Sequence, residues 1–301
     1  MDRMAKRLRK YFQMIKRVSR KKLDVNKYTE CLNKSVNYRI YAEVFYLDAL
    51  VENNWDCYVL NDYEAIMPLP FVKKIGFKFI TQPTYCQQLG VFHQENLSKE
   101  TFQLFENKLH RNLVRAYSFN EENTEMFEPK GEKRVNQVLD LNFDYNIYFK
   151  TIRKNRKQEI KTGLPENYKI CQHSKNIDFI DLLDKNYSHI KKELQLKKLV
   201  KLVNKLQEEE KSITISIEEN QQVLASSFYL ISDKRLIQLC NAKLPNGKIN
   251  YNTFIVDFII KKYSNKNIYL DFEGSSLKGV QEFNESFRAA THYFTCYKNF
   301  L

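Results

Sequence analysis

Apolar residues recur along this 301-residue chain at two periods. Phe102, Phe105 and Leu109 fall three to four apart, the spacing of one helix face, and predict a helix over 99–110. The same periodicity predicts helices over 25–33, 41–51, 177–187, 193–210, 253–263 and 280–287. A basic, interrupted helix is expected over 144–162, where Gly163 and Pro165 end it. Short apolar or alternating runs predict strands over 56–60, 63–71, 77–81, 113–119, 134–141, 168–171, 212–218, 222–231, 235–242, 268–272 and 292–297. Residues 120–133, with Pro129 and Gly131, read as a polar loop. Each half thus runs helix, three successive strands, helix, strand. A strand meander followed by strands that alternate with helices predicts a mixed sheet with helices on its faces.

The apolar fraction, 43%, and the 21 Phe and 19 Tyr are enough for a packed core and argue against disorder. The length suits one large domain or two ordinary ones. No apolar run is long enough to span a bilayer, and no secretory leader is visible. The six cysteines are scattered without C-x-x-C, which fits a reducing cytoplasm and suggests neither zinc nor a disulfide framework. The five histidines have no ligand spacing, so no metal is expected.

The net charge of +13 would attract anionic partners. Abundant Lys, Asn and Ile with only 7 Gly also fit an AT-rich genome, which raises Lys without functional demand. Residues 1–22 hold ten Lys or Arg against one acid, with Leu8, Phe12 and Ile15 at helical spacing. Two readings fit: a basic amphipathic helix that meets an acidic membrane face or nucleic acid, or an extension of residues 1–15 ahead of a native start near Met14.

The chemistry concentrates at Ile268–Gly279, I-Y-L-D-F-E-G-S-S-L-K-G. A strand ends in Asp271 and Glu273, two apart and hence on one face, before Gly274, Ser275 and Ser276 open a helix. Either carboxylate can take a proton from an attacking amine or hold a cationic group; the alternative is local capping for Asp271 and a Lys pair for Glu273. Gly274 lets backbone approach a ligand, and the two serines either line a site or cap the helix. Lys243, Gly247, Lys248, Asn250 and Asn252 lie on a loop before a helix, which fits a phosphate cradle or a plain turn. Arg153 and Arg156 belong to a basic cluster at 150–161, and Gln87 and Gln88 either line a groove or are buried, satisfied amides.

Several of these segments carry a resemblance. The run D-F-E-G-S-x-x-x-G-V-x-x-F-x-x-S-F from Asp271 is similar to the C-terminal half of bacterial double-domain proteins of the GNAT acyltransferase superfamily, related to Fem-type aminoacyltransferases. Y-A-E-V-F-Y-L-D at 41–48, A-I-M-P-L-P at 65–70, Q-P-T-Y-C-Q-Q-L-G-V-F at 82–92 and R-V-N-Q-V-L-D-L at 134–141 extend it, as does the basic segment 150–161. The resemblance implies an α/β (α+β) fold of two tandem GNAT-like domains, 16–142 and 143–301, each a mixed, mostly antiparallel sheet flanked by helices. It implies a cytoplasmic bacterial enzyme that moves an acyl or aminoacyl group onto an amine acceptor. The site residues it implies are Asp271 and Glu273 for catalysis, the 243–252 loop and Gly274–Ser276 for the donor, and Gln87, Gln88, Arg153, Arg156 and Arg288 for substrate. No tightly bound cofactor is expected; the donor would be acetyl-CoA, another acyl-CoA or an aminoacyl-tRNA, and a phosphorylated cell-wall precursor is a further partner.

The chain departs from the superfamily at two places. Where GNAT enzymes place R/Q-x-x-G-x-G/A against the CoA pyrophosphate, this chain reads K-L-P-N-G-K-I-N-Y-N-T. With Gly247 as the first glycine, Leu244 and Ile249 stand at the other two positions, so weak acetyl-CoA binding is expected. Phe287-Arg288-Ala289 stands where relatives often read F-G-A, which puts Arg288 near the expected site. Two other readings stand beside the enzyme: a non-catalytic scaffold of the same fold, and a basic RNA-binding module.

Overall fold

The computed structural model describes residues 14–173, 177–186, 193–232, 234–244, 249–274 and 277–300. The chain forms two compact units, one of residues up to Arg134 together with those from Tyr293 onward, the other Val135–His292. In chain order the first half supplies β1 (Ile15–Ser19), α1 (Val25–Asn33), α2 (Val44–Val51), β2 (Trp55–Leu60), β3 (Ala65–Lys74), β4 (Phe77–Thr81), β5 (Phe92–His93), α3 (Lys99–His110), β6 (Leu113–Phe119), α4 (Glu121–Phe127) and β7 (Glu132–Asp140). The second half supplies α5 (Tyr145–Phe149), α6 (Lys154–Thr162), β8 (Tyr168–His173), α7 (Ile177–Asn186), α8 (Glu193–Glu208), β9 (Ser212–Glu219), β10 (Gln222–Ile231), β11 (Arg235–Lys243), α9 (Tyr251–Tyr263), β12 (Tyr269–Asp271), α10 (Lys278–Ser286) and β13 (Ala290–Tyr297).

The sheet of the first unit runs β1-β2-β3-β4-β6-β13 and is parallel only between β4 and β6. That of the second runs β8-β9-β10-β11-β12-β7 and is parallel only between β11 and β12. Both are the mixed, mostly antiparallel sheets the sequence predicts, built in the same series. The sixth strand of each does not follow chain order. Thr295–Tyr297 pair with Tyr117–Phe119 in the first unit, and Val138–Asp140 pair with Tyr269–Asp271 in the second. The blocks 16–142 and 143–301 follow the sequence, whereas the units follow this pairing.

Each core is packed by elements whose ends are capped. Ser98 accepts from Thr101 N at the start of α3, which buries Phe102, Phe105 and Leu109. Trp55 on β2 is fully buried, and its Nε1 donates to Asp48 at 2.8 Å. In the second unit α9 lays Ile255, Val256 and Ile259 on a core with Ile215, Tyr229 and Leu270. Burying each such side chain stabilises by roughly 1.5–3 kcal/mol.

Two expectations are corrected, and a third, the interrupted helix over 144–162, is resolved into its parts. Ile15–Ser19 is not part of a basic helix; it pairs antiparallel with β2 from Ile15 opposite Leu60 to Ser19 opposite Asp56, and residues 1–13 lie outside the described part. Residues 120–133 are not all loop: Asn120 Oδ1 accepts from Asn123 N, Glu121 and Glu122 occupy the first turn, and α4 forms. The 144–162 segment is two helices, with Asp144 capping α5 and the chain breaking at 150–153.

Gly131, at φ +151°, lies so close to β13 that an added Cβ would sit 2.4 Å from Cys296 O. We expect Gly131→Ala to destabilise the first unit by about 2 kcal/mol or more, read as a lower urea midpoint with an unchanged slope.

Candidate active site

The site of interest forms where the two parallel strands of the second unit part. β11 and β12 pair over only three residues, Arg235–Ile237 against Tyr269–Asp271. Beyond Ile237, β11 continues beside β10 alone, from Gln238 opposite Tyr229 to Lys243 opposite Ala225. The other chain turns off: Phe272 N donates to Gln137 O, and Glu273 and Gly274 take φ of +56° and +46°. Only a glycine fits the second of these, since a Cβ on Gly274 would lie 2.4 Å from Val135 O. The strands therefore splay at their C-terminal ends, and ligands of α/β sheets bind at such ends.

A cavity of about 350 Å³ fills the splay, with Gln238, Cys240, Asn241, Glu273 and Phe283 among its walls. A second, also about 350 Å³, has Ser226, Ser227, Lys243, Asn250 and Tyr251 among its walls. Asn241 and Asn252 line both. They are held by Gln238, whose Nε2 lies 3.0 Å from Asn241 Oδ1, 2.8 Å from Asn252 Oδ1 and 3.0 Å from Tyr229 Oη. Asn252 stands in the first turn of α9, where backbone N–H groups have no intrahelical partner.

Asp271 and Glu273, expected on one face, have different surroundings. The strand ends at Asp271, so strand alternation does not extend to Glu273. Asp271 is buried: Oδ1 accepts from Asn136 Nδ2 at 3.1 Å and from Glu273 N at 2.8 Å, and Oδ2 pairs with Arg235 Nη1 at 2.5 Å. Its capping reading fits this geometry. Glu273 is half-buried and lines the first cavity. Cys240 stands in the same wall; burial, then the charge of Glu273, pushes its thiol pKa up, so it stays protonated near neutrality.

The remaining expected residues separate. Lys243, Asn250 and Asn252 line the second cavity, and Gly274 the first. Gly247, Lys248, Ser275 and Ser276 lie outside the described residues. The N-cap position of α10 is Leu277. Arg156 is buried and engaged within the second unit: Nε donates to Ser286 Oγ at 2.9 Å, Nη1 meets Glu159 and Thr253, and the guanidinium covers Phe283 at 4.4 Å. Arg153 pairs with Glu285 at 2.8 Å, and Arg288, at φ +64°, donates to Thr151 O at 2.6 Å. Gln87 and Gln88 belong to the first unit, where buried Gln88 bonds Gln87 and Glu121. Sequence reasoning missed Arg235, Asn136, Gln238 and Asn241. The signal was there for β11: Gln238 and Asn241 are amides inside R-L-I-Q-L-C-N-A, an otherwise apolar strand. Among the described residues no cluster of His, Cys, Asp or Glu is placed to hold a metal, and no helix is long and apolar enough to cross a membrane.

No family model matches the chain, and no curated protein matches it. Solved structures do. FemX is 7% identical over 94% of this chain and 97% of its own, with a TM-score of 0.66. A conserved protein of unknown function from Bacteroides thetaiotaomicron is 11% identical over 95% and 100%, with a TM-score of 0.60. A tandem GNAT protein from the clavulanic acid biosynthesis pathway is 8% identical over 95% and 98%, with a TM-score of 0.53. The chain has a GNAT/Fem-like fold of two GNAT-like domains.

Proposed function

We propose that this chain is an N-acyltransferase that moves an acyl or aminoacyl group onto an amine in the splay between β11 and β12. One observation carries the reading: in the splay a carboxylate, Glu273, lines the same cavity as a fixed cluster of amides. An amine attacks the donor's carbonyl carbon, and the new C–N bond forms as the bond to the leaving thiol or ribose oxygen breaks. Glu273 takes the proton that the amine loses. Beyond Ile237 the β12-facing backbone edge of β11 has no partner strand among the described residues, which suits its N–H groups to stabilise the oxyanion. Positioning of the two substrates supplies much of the rest of the rate. Asp271, buried and fully engaged, is a positioning residue that fixes the turn carrying Glu273.

The donor enters from the side of Lys243, Asn250 and the start of α9, a cation with helix-end N–H groups that suits phosphate. A CoA thioester and an aminoacyl-tRNA both bring such a group. The altered glycine positions of the 243–253 loop favour the tRNA ester. The acceptor is an amine, with a phosphorylated cell-wall precursor as the candidate that carries one in a cytoplasmic bacterial setting.

Three outcomes test this. Calorimetric titration should show acetyl-CoA binding weaker than about 10 µM, near −7 kcal/mol; tighter binding would make CoA the donor. Glu273→Gln should keep the wild-type melting temperature and lower turnover by about 10²-fold or more with the productive donor. Full activity in that variant would remove Glu273 from the chemistry and favour the scaffold. Asp271→Asn should instead cost about 3 kcal/mol of stability, because Arg235 is left without its anion.

A further inference from the structure

The turn between β3 and β4 carries a residue that the local backbone does not favour. Ile75 and Gly76 form a two-residue hairpin loop with φ of +47° and +75°. Asn-Gly is the preferred pair for two left-handed positions, and a β-branched side chain there is strained. Ile75 gains nothing from packing in return, being 96% exposed. Phe77, just beyond it, is 62% exposed. Strain kept for a side chain that lies bare in solvent points to a use outside the fold.

The tip continues into an apolar face of the first unit. Val72 lies opposite Phe79, and Phe79 opposite Leu113, so Val72, Phe77, Phe79 and Leu113 share one side of the sheet. The Phe300 ring extends this side, 5.1 Å from that of Phe79. The charged residues of its strands are all basic. Lys74 is on the same side, and the Arg115 guanidinium stands 5.7 Å from the Phe79 ring. β3, β4 and β6 contain no Asp or Glu.

We propose that this face docks on an anionic lipid bilayer, with Ile75 and Phe77 entering the boundary between headgroups and acyl chains. Lys74 and Arg115 then meet lipid phosphates, with their stems along the apolar surface. A nucleic acid would use the cations and phenylalanine rings, but it has no use for an aliphatic side chain at the most exposed point. The proposal does not depend on the acyl-transfer reading.

The test is co-sedimentation of the full chain with phosphatidylcholine vesicles, with and without phosphatidylglycerol. The chain should bind the anionic vesicles, less tightly as salt is raised. Phe77→Ser should weaken this binding about tenfold or more. Ile75→Asn should do the same while holding or raising the melting temperature, since Asn suits the turn. Phe77→Trp should emit at shorter wavelength when vesicles are added, against the constant signal of buried Trp55. The basic residues 1–13 are present in every variant, so a loss belongs to the hairpin. Failure of the wild type to bind overturns the proposal, as does wild-type binding by the Ile75→Asn, Phe77→Ser double variant. Loss of poly(U) binding with vesicle binding intact would make the face a nucleic-acid surface instead.

Discussion

Asp271 is a carboxylate taken out of water at the end of a strand. Such a charge is tolerated only against a paired cation and a full set of donors. Arg235, Asn136 and the backbone N–H of Glu273 supply them. The three partners do more than neutralise. Arg235 belongs to the neighbouring parallel strand and Asn136 to the antiparallel one on the other side, so the carboxylate ties β11, β12 and β7 at one level of the sheet. The Glu273 N–H ends the strand there and turns the chain into left-handed backbone. Cleft, half-buried carboxylate and glycine turn all follow from where that charge is held.

The same constraint governs the basic residues of the second unit. Arg156 looks in the sequence like one cation among many in 150–161. In the fold it is desolvated, which lowers its pKa, and it is held by Glu159, Ser286, Thr253 and two phenylalanine rings. A guanidinium in that position fixes α6 against α10. Lys243 stands instead on the wall of the second cavity.

Periodicity made much of this legible. Helices α3 and α9 follow directly from apolar positions three and four apart, and the order of strands was enough to expect two similar mixed sheets. What periodicity missed were elements decided by partners. β1, I-K-R-V-S, has two basic residues in five and forms because β2 lies beside it. In α4 the apolar signal is only Met126 and Phe127, and the Asn120 cap and acidic first turn carry the rest. In the candidate site, the stretch from Asp271 to Gly274 stood out in the sequence, yet its two carboxylates could not be told apart. That distinction depends on Arg235 and Asn136, which are distant in sequence. The amides of β11 were visible as polar letters in a buried strand, but only the fold shows that Gln238 joins them to Asn252.

The sixth strand of the first unit comes from the end of the chain. Val114 N bonds Asn299 Oδ1 across 185 residues, and Gly131 packs under Cys296. On a ribosome, everything up to β6 emerges long before its partner exists. The edge of β6 is then a row of unpaired backbone groups beside Leu113 and Phe119, a template for wrong pairing. The first unit is thus begun before the second and completed after it, so its completion is a slow, non-local step that waits on synthesis of the whole second unit. A nascent chain of this fold needs its β6 edge shielded throughout that interval.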